Sequence, residues 1–157
     1  MALEIERKFL LANDDWKREV IKSEHLRDGL IGRFGLGKVR VRLTERNAWL
    51  TIKGPSDGIS RPEFEYEIPR ADAEVMLRTL CQGDPVLEKV RYTVPFGGLE
   101  WTIDVYMGPL SGVVLAEVEL KHPDQQPQLP SWIGDEVTND PRFEKGNLAR
   151  RATSVTA

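Results

Sequence analysis

Histidine is almost missing from this sequence, with only His25 and His122 in 157 residues, and cysteine is reduced to Cys81. The first scarcity leaves little material for a histidine-based zinc site or a Ser-His-Asp triad. The second rules out a disulfide framework within the chain. Cys81 sits among apolar residues near the end of an expected helix, the setting of a buried, inert thiol rather than a nucleophile. Long apolar runs are lacking too, and Glu4 and Glu6 stand where a signal peptide needs a basic region and an apolar stretch. The expected location is therefore cytoplasmic, with no membrane partner. A basic surplus is also absent: 25 Asp and Glu outweigh 22 Lys and Arg, for a formal net charge of -3. That argues against a broad surface for nucleic acid, while leaving room for a basic pocket inside an acidic shell.

What is present is ordinary in bulk and unusual in its order. Hydrophobic residues at 40% and charged residues at 30% suit a folded globular chain, and the length suits one domain over 1–157. Alternation with period two recurs along the chain, charged residues on one parity and apolar ones on the other. The opening "LEIERK" places Glu4, Glu6 and Lys8 at every second position. "KVRVRL" sets Arg40 and Arg42 against Val39, Val41 and Leu43; "LTIK" sets Thr51 and Lys53 against Leu50 and Ile52. "RPEFEYEI", "EKVRYTV", "EWTIDVY" and "VLAEVELK" repeat the device with Glu63 and Glu65, Lys89 and Arg91, Asp104, and Glu117 and Glu119. With "RDGLIG" as a weak strand, these make about eight strands on hairpin-length connections that favour antiparallel pairing. Helices are expected in three places: after Asn13, over "ADAEVMLRTLC", and after the Asp140 cap with Pro141 at the first helical position.

Apolar-in, polar-out alternation ordinarily means a sheet with one solvated face. The sorting of charge here argues otherwise. Carboxylates pair on single strands (Glu4 with Glu6, Glu63 with Glu65, Glu117 with Glu119), and basic residues pair on others (Arg40 with Arg42, Lys89 with Arg91). Like charges so close repel, a cost reversed by a multivalent cation on the acids and a polyanion on the bases. Oxygen ligands without His or Cys point to Mg²⁺ or Mn²⁺. A basic clamp beside divalent metal is what phosphoryl transfer requires, and Arg and Lys supply the bidentate and point-charge contacts to phosphate. "GRFGLGK", with Gly32, Gly35, Gly37 and Lys38, imitates a phosphate loop but lacks the Walker spacing and runs into a strand instead of a helix.

The segments "EIERKF", "VRVR", "TIK", "RPEFEYE", "EKVRY", "DVY", "AEVEL" and "EVTNDPRF", in this order over nearly the whole chain, resemble the CYTH domain, or triphosphate tunnel metalloenzymes. The resemblance implies a mainly β, α+β fold: an eight-stranded antiparallel closed barrel with a charged interior and about three flanking helices. It implies that Glu4, Glu6 and Glu119 hold the activating metal, with Glu63, Glu65, Asp104 and Glu117 contributing to a second metal or its waters. Lys8, Arg40, Arg42, Lys53, Lys89 and Arg91 then bind phosphates, and Glu4, Glu6, Lys8 and Lys53 carry the catalysis. Water attacks a terminal phosphorus, oriented by a glutamate or by Lys53. Short members of the family often have Gln-Gly-Tyr-Leu before the first Arg pair. Here "RDGLI" puts Leu30 at the tyrosine position, and the helix after Asp140 becomes the candidate to cover that mouth.

The expected activity is metal-dependent hydrolysis of a triphosphate, foremost inorganic tripolyphosphate, by a monomer or homodimer with a small-molecule substrate and no nucleic acid partner. An adenylate cyclase, a thiamine-triphosphatase or other nucleoside triphosphatase, a non-catalytic polyphosphate-binding module and a plain sheet protein are the alternatives. Turnover of tripolyphosphate, cyclic AMP from ATP, binding without turnover, or no phosphate affinity separates them.

Overall fold

The computed structural model describes residues 2–156; Met1 and Ala157, the ends of the expected 1–157 domain, lie outside the described residues. All the expected strands form: β1 (Leu3–Leu11), β2 (Lys22–Phe34), β3 (Gly37–Thr44), β4 (Ala48–Lys53), β5 (Ser60–Glu67), β6 (Leu87–Phe96), β7 (Leu99–Tyr106) and β8 (Val114–Glu119). The sheet order is β5-β4-β3-β2-β6-β7-β8-β1, and β1 pairs again with β5, which closes an eight-stranded antiparallel barrel. Closure leaves no free edge within the ring. The "RDGLIG" segment is the centre of the longest strand rather than a weak one. A short strand that alternation did not announce, β9 (Ile133–Glu136), pairs with the C-terminal half of β1. It lies on the edge that β5 occupies farther back, since Glu6 N donates to Ile59 O and Val137 N to Lys8 O.

Turn chemistry sets the registers. Gly97 and Gly98, both at positive φ (60° and 78°), form the two-residue loop between β6 and β7, a turn whose twist matches its strands. Gly35, at φ 55°, turns β2 into β3, so "GRFGLGK" is a hairpin and no phosphate loop.

The apolar parity of the strands faces outward under two hydrophobic clusters, and a third cluster closes one end of the ring. Ile5, Phe9, Trp101, Ile103 and Val118 pack with Trp16 and Trp132. Val41, Leu43 and Ala48 pack under Ala73, Leu77 and Cys81 of α1 (Arg70–Thr79) and its end, which makes Cys81 the buried thiol expected. The third cluster seats α2 (Lys145–Thr156): Leu148, Ala149 and Ala152 meet Leu87, Tyr106 and Leu115. Those last three share the parity of Lys89, Asp104 and Glu117, so α2 closes one end of the barrel with apolar contacts.

Two helical expectations change in kind. The segment after Asn13 is a 3-10 helix over Asp15–Glu19, because Ile21 N already bonds to Thr93 O in the sheet and leaves too few residues for an α-helix. Asp140 does cap, accepting from Arg142 N at 3.0 Å, but it caps a 3-10 turn at Pro141–Phe143. The Glu144 carboxylate caps α2, accepting from Gly146 N and Asn147 N. No helix among the described residues is long and apolar enough to cross a membrane.

Candidate active site

Because the apolar parity faces out, the charged parity faces the lumen. A cavity of about 480 Å³ is lined by Glu4, Glu6, Glu63, Glu65, Glu117 and Glu119 on its acidic side and by Arg40, Arg42, Lys53 and Arg91 on its basic side. Cross-strand pairing explains the grouping: Glu6 faces Glu119, Lys8 faces Glu117, Arg40 faces Thr51, Thr51 faces Glu65, and Lys53 faces Glu63. Lys8 lies in a second cavity of about 330 Å³ that shares Glu4, Glu6 and Lys53 with the first. Its Nζ donates to Phe143 O at 3.2 Å.

The acidic side is held together by one ammonium. Lys53, buried, has its Nζ 3.0 Å from Glu4 Oε1 and 3.1 Å from Glu63 Oε2. Burial opposes ionisation of Glu4, but Lys53 outweighs it and holds the carboxyl down at about 2. Burial, with the Glu117 and Glu4 charges beside it, pushes Glu6 up to about 8. Burial and the hydrogen bond shared with Glu4 push Glu63 up to about 7. Glu119 is raised by burial and by the Glu4 and Glu65 charges. Glu117 goes the other way: burial opposes its charge, yet Lys145, Lys8 and Arg91 hold it well below the usual range.

The basic side divides into satisfied and unsatisfied cations. Arg91 forks onto Asp104 (2.7 and 2.8 Å), and Lys89, 1% exposed, sits 2.8 Å from Asp104 Oδ2 without hydrogen-bond geometry. Arg42 forks onto Asp28 at 2.7 and 2.9 Å, with Lys89 3.6 Å from the same carboxylate. Both Asp104 and Asp28 are held below the ordinary range by these cations, against burial. Arg40 has no such partner. It is 7% exposed, its Nη2 reaches Thr51 Oγ1 at 3.4 Å, and its Nε and Nη1 are buried with no hydrogen-bond partner among the described residues. A guanidinium in that state is stabilised by an anion with several oxygens.

All the acids and bases singled out from the sequence thus surround one lumen, except that Lys89 and Asp104 lie behind the cavity wall as a buried pair. Among the charged residues not singled out, Asp28 lies in a recess beside the lumen and Lys145 in the lumen itself. Asp28 shares its parity with Leu26 and Leu30, so alternation marks its neighbours as apolar; only its register opposite Arg42 reveals it. Lys145 comes from α2, where period two does not apply, and it lines both cavities. Burial and nearby Lys89 push its ammonium well below the ordinary range, while Glu117 pulls the other way. Leu30 lies beside Lys145, Gly146 and Ala149 of α2 in a small recess.

The donor set fits a hard divalent cation, being carboxylate throughout. In this conformation no three acidic, histidine or cysteine side chains among the described residues are arranged to hold a metal ion. The reason is visible at Lys53, which draws Glu4 and Glu63 onto itself.

Comparison with known proteins agrees with this geometry. The sequence matches the CYTH domain over residues 2–153. It is 43% identical over 150 residues to an inorganic triphosphatase of Acetivibrio thermocellus, covering 96% of this chain and 95% of that one. Identity to an inorganic triphosphatase of Nitrosomonas europaea is 35% over 152 residues, covering 93% and 96%. The crystal structure of an inorganic triphosphatase superposes with a TM-score of 0.65 at 32% identity, over 95% of both chains.

Proposed function

The chain belongs to the CYTH domain family, and from that membership we propose that it is a metal-dependent triphosphatase, cleaving inorganic tripolyphosphate to diphosphate and orthophosphate within the barrel. The observation that carries this reading is Arg40, a buried guanidinium whose Nε and Nη1 lack partners, set in a lumen with carboxylates opposite. The inorganic triphosphatases of A. thermocellus and N. europaea, both above 30% identity, support it. We assign residues 1–157 to one catalytic domain working in the cytoplasm on a small-molecule substrate.

In this reading Arg40, Arg42 and Arg91, with Lys8 and Lys53, grip the non-bridging oxygens of the phosphate chain. Asp28 and Asp104 aim two of the forks, Arg42 and Arg91, before substrate arrives, so little side-chain freedom is lost on binding. Asp104 serves the clamp in this way rather than a second metal. Glu4, Glu6 and Glu119 would hold Mg²⁺ or Mn²⁺, with Glu63, Glu65 and Glu117 alongside. The ion, when bound, supplies Lewis-acid neutralisation of phosphoryl charge. Glu6 and Glu63, raised to about 8 and about 7, would have to give up their protons to hold the ion. Lys53, which pairs with Glu4 and Glu63, would be the ammonium nearest the phosphate chain once those carboxylates held an ion.

Purified protein given tripolyphosphate with Mg²⁺ or Mn²⁺ should release orthophosphate, and Glu4→Gln or Glu6→Gln should abolish release while leaving the fold intact. Absence of release with both metals from neutral to alkaline pH would sink the proposal. Cyclic AMP formed from ATP would reassign it to a cyclase.

A further inference from the structure

We propose that Lys38 is a further substrate-contacting residue, holding the phosphate group that projects past Lys53 toward the loop between β4 and β5. The inference rests on the triphosphatase reading and goes beyond it, since "GRFGLGK" contributes this lysine to the lumen although it forms no phosphate loop. Lys38 opens β3 in phase with Arg40 and Arg42, and its side chain is 12% exposed. It lines the cavity of about 330 Å³ on the far side of Glu4 and Glu6, together with Lys8, Lys53, Arg61 and Lys145.

Three of the four carboxylates facing this cavity are already occupied, and the fourth, Glu6, stands opposite Glu119 rather than beside a cation. Glu4 is held by Lys53, Asp140 by Arg142 at 2.6 Å, and Glu144 by the two backbone N–H groups it caps. Glu144 approaches Lys38 only to 3.7 Å. The Arg61 fork is spent on the Gly54 carbonyl at 2.7 and 3.1 Å, which fixes a cation at the cavity wall without neutralising it. A half-buried recess with more cations than available carboxylates favours a compact anion rich in oxygens, and an ammonium is a point-charge contact for one. Lys38 shows the strain of that surplus: burial, then the Lys53, Arg61 and Arg40 charges, push it down to about 8, with Glu144 pulling the other way. Arg33, its register partner on β2, and Lys145 on α2 are cations, and in the recess they share with Lys38 the carboxylates are taken, Asp28 by Arg42 and Asp84 by Arg33 at 3.8 Å.

The test uses Lys38→Met, Lys38→Arg and Glu144→Gln, with KM and kcat for tripolyphosphate at saturating metal on both sides of about pH 8. Lys38→Met should raise KM about tenfold and leave kcat nearly unchanged, the loss of one charge-assisted contact. Lys38→Arg should restore KM and lose part of the wild-type rise in KM at alkaline pH, because arginine stays charged while all other titrating groups are shared. An unchanged KM in Lys38→Met would overturn the proposal. So would an equal rise in Glu144→Gln, which would assign Lys38 to tethering α2. If the wild type shows no turnover, the triphosphatase reading fails separately. Calorimetric binding of tripolyphosphate in chelator then decides Lys38 by itself: about tenfold weaker in Lys38→Met supports the contact, and equal binding refutes it.

Discussion

Arg40→Met should make the protein more stable and less active at once. Methionine keeps much of the aliphatic volume of arginine and removes a buried charge. In the wild type two guanidinium nitrogens, Nε and Nη1, are buried without partners among the described residues, and the third, Nη2, makes only a long contact to Thr51 Oγ1 at 3.4 Å. Each unsatisfied buried donor costs roughly 1–3 kcal/mol. Replacing a buried ion by an apolar side chain of similar size is commonly stabilising by about 1–4 kcal/mol. Burial is the largest cause of the lowered Arg40 pKa, followed by the Arg42 charge, with Asp28 and Glu63 pulling the other way. A gain of about 2 kcal/mol is therefore expected, or a rise in melting temperature of roughly 4–8 °C for a domain of this size. The opposite change is expected for substrate, since losing a multidentate phosphate contact costs about 1.5–3 kcal/mol, or roughly ten- to a hundred-fold in kcat/KM. Thermal unfolding in chelator, with and without tripolyphosphate, measures both: tripolyphosphate should raise the wild-type midpoint by mass action and the variant's far less. A lower midpoint with catalytic efficiency retained would refute the assignment of Arg40 as an anion site held in readiness.

Lys53→Met leaves Glu4 and Glu63 facing each other without their shared ammonium, so the metal-free protein should lose about 3 kcal/mol in urea unfolding, with Mg²⁺ or Mn²⁺ recovering much of it; a loss that metal does not recover would argue against carboxylate ligation there. Asp28→Asn strips both Arg42 and Lys89 of a counter-charge and should lower stability by about 3 kcal/mol and kcat/KM at least tenfold, measured by unfolding and phosphate release. Stability should also vary with pH in the metal-free protein. Glu6, raised to about 8, binds a proton in the folded state that the unfolded chain releases near 4.5, so stability falls as pH rises between those values, by up to about 1.4 kcal/mol per pH unit. Glu4, lowered to about 2, contributes stability above 4.5 that is lost as pH falls toward 2. Glu6→Gln should make the decline above pH 4.5 shallower, with Glu63 supplying what remains up to about 7, and leave the acid one, as read from urea midpoints across the pH range.

The strands and the sorting of their charges were legible because alternation is a local property: Glu4, Glu6 and Lys8 fall on one face whatever the rest of the chain does. Closure was not, since the pairing of Glu4 with Arg61 that joins β1 to β5 depends on the sum of registers around the ring. Asp28 hid for a similar reason, its role residing in Arg42 on the next strand, and Lys145 because a helix delivers it. The segment after Asn13 carries a good cap, yet the sheet claims Ile21 before an α-helix can propagate. In β9, "IGDE" has too few residues and too little apolar content to alternate, and the exposed partner edge of β1 recruits it.

The outward placement of Ile5, Phe9, Val41, Trp101 and Val118, against the inward placement of Glu4, Lys8, Arg40 and Glu117, divides labour along a single backbone. Cohesion resides in a shell around the ring and reactivity in its bore, one peptide link apart. The same strand can therefore be rewritten in two interleaved scripts. Substitutions at the outward parity change how firmly the ring is clasped, while those at the inward parity change what the bore accepts and, where Leu87, Tyr106 and Leu115 seat α2 or where charges are buried, the clasp as well.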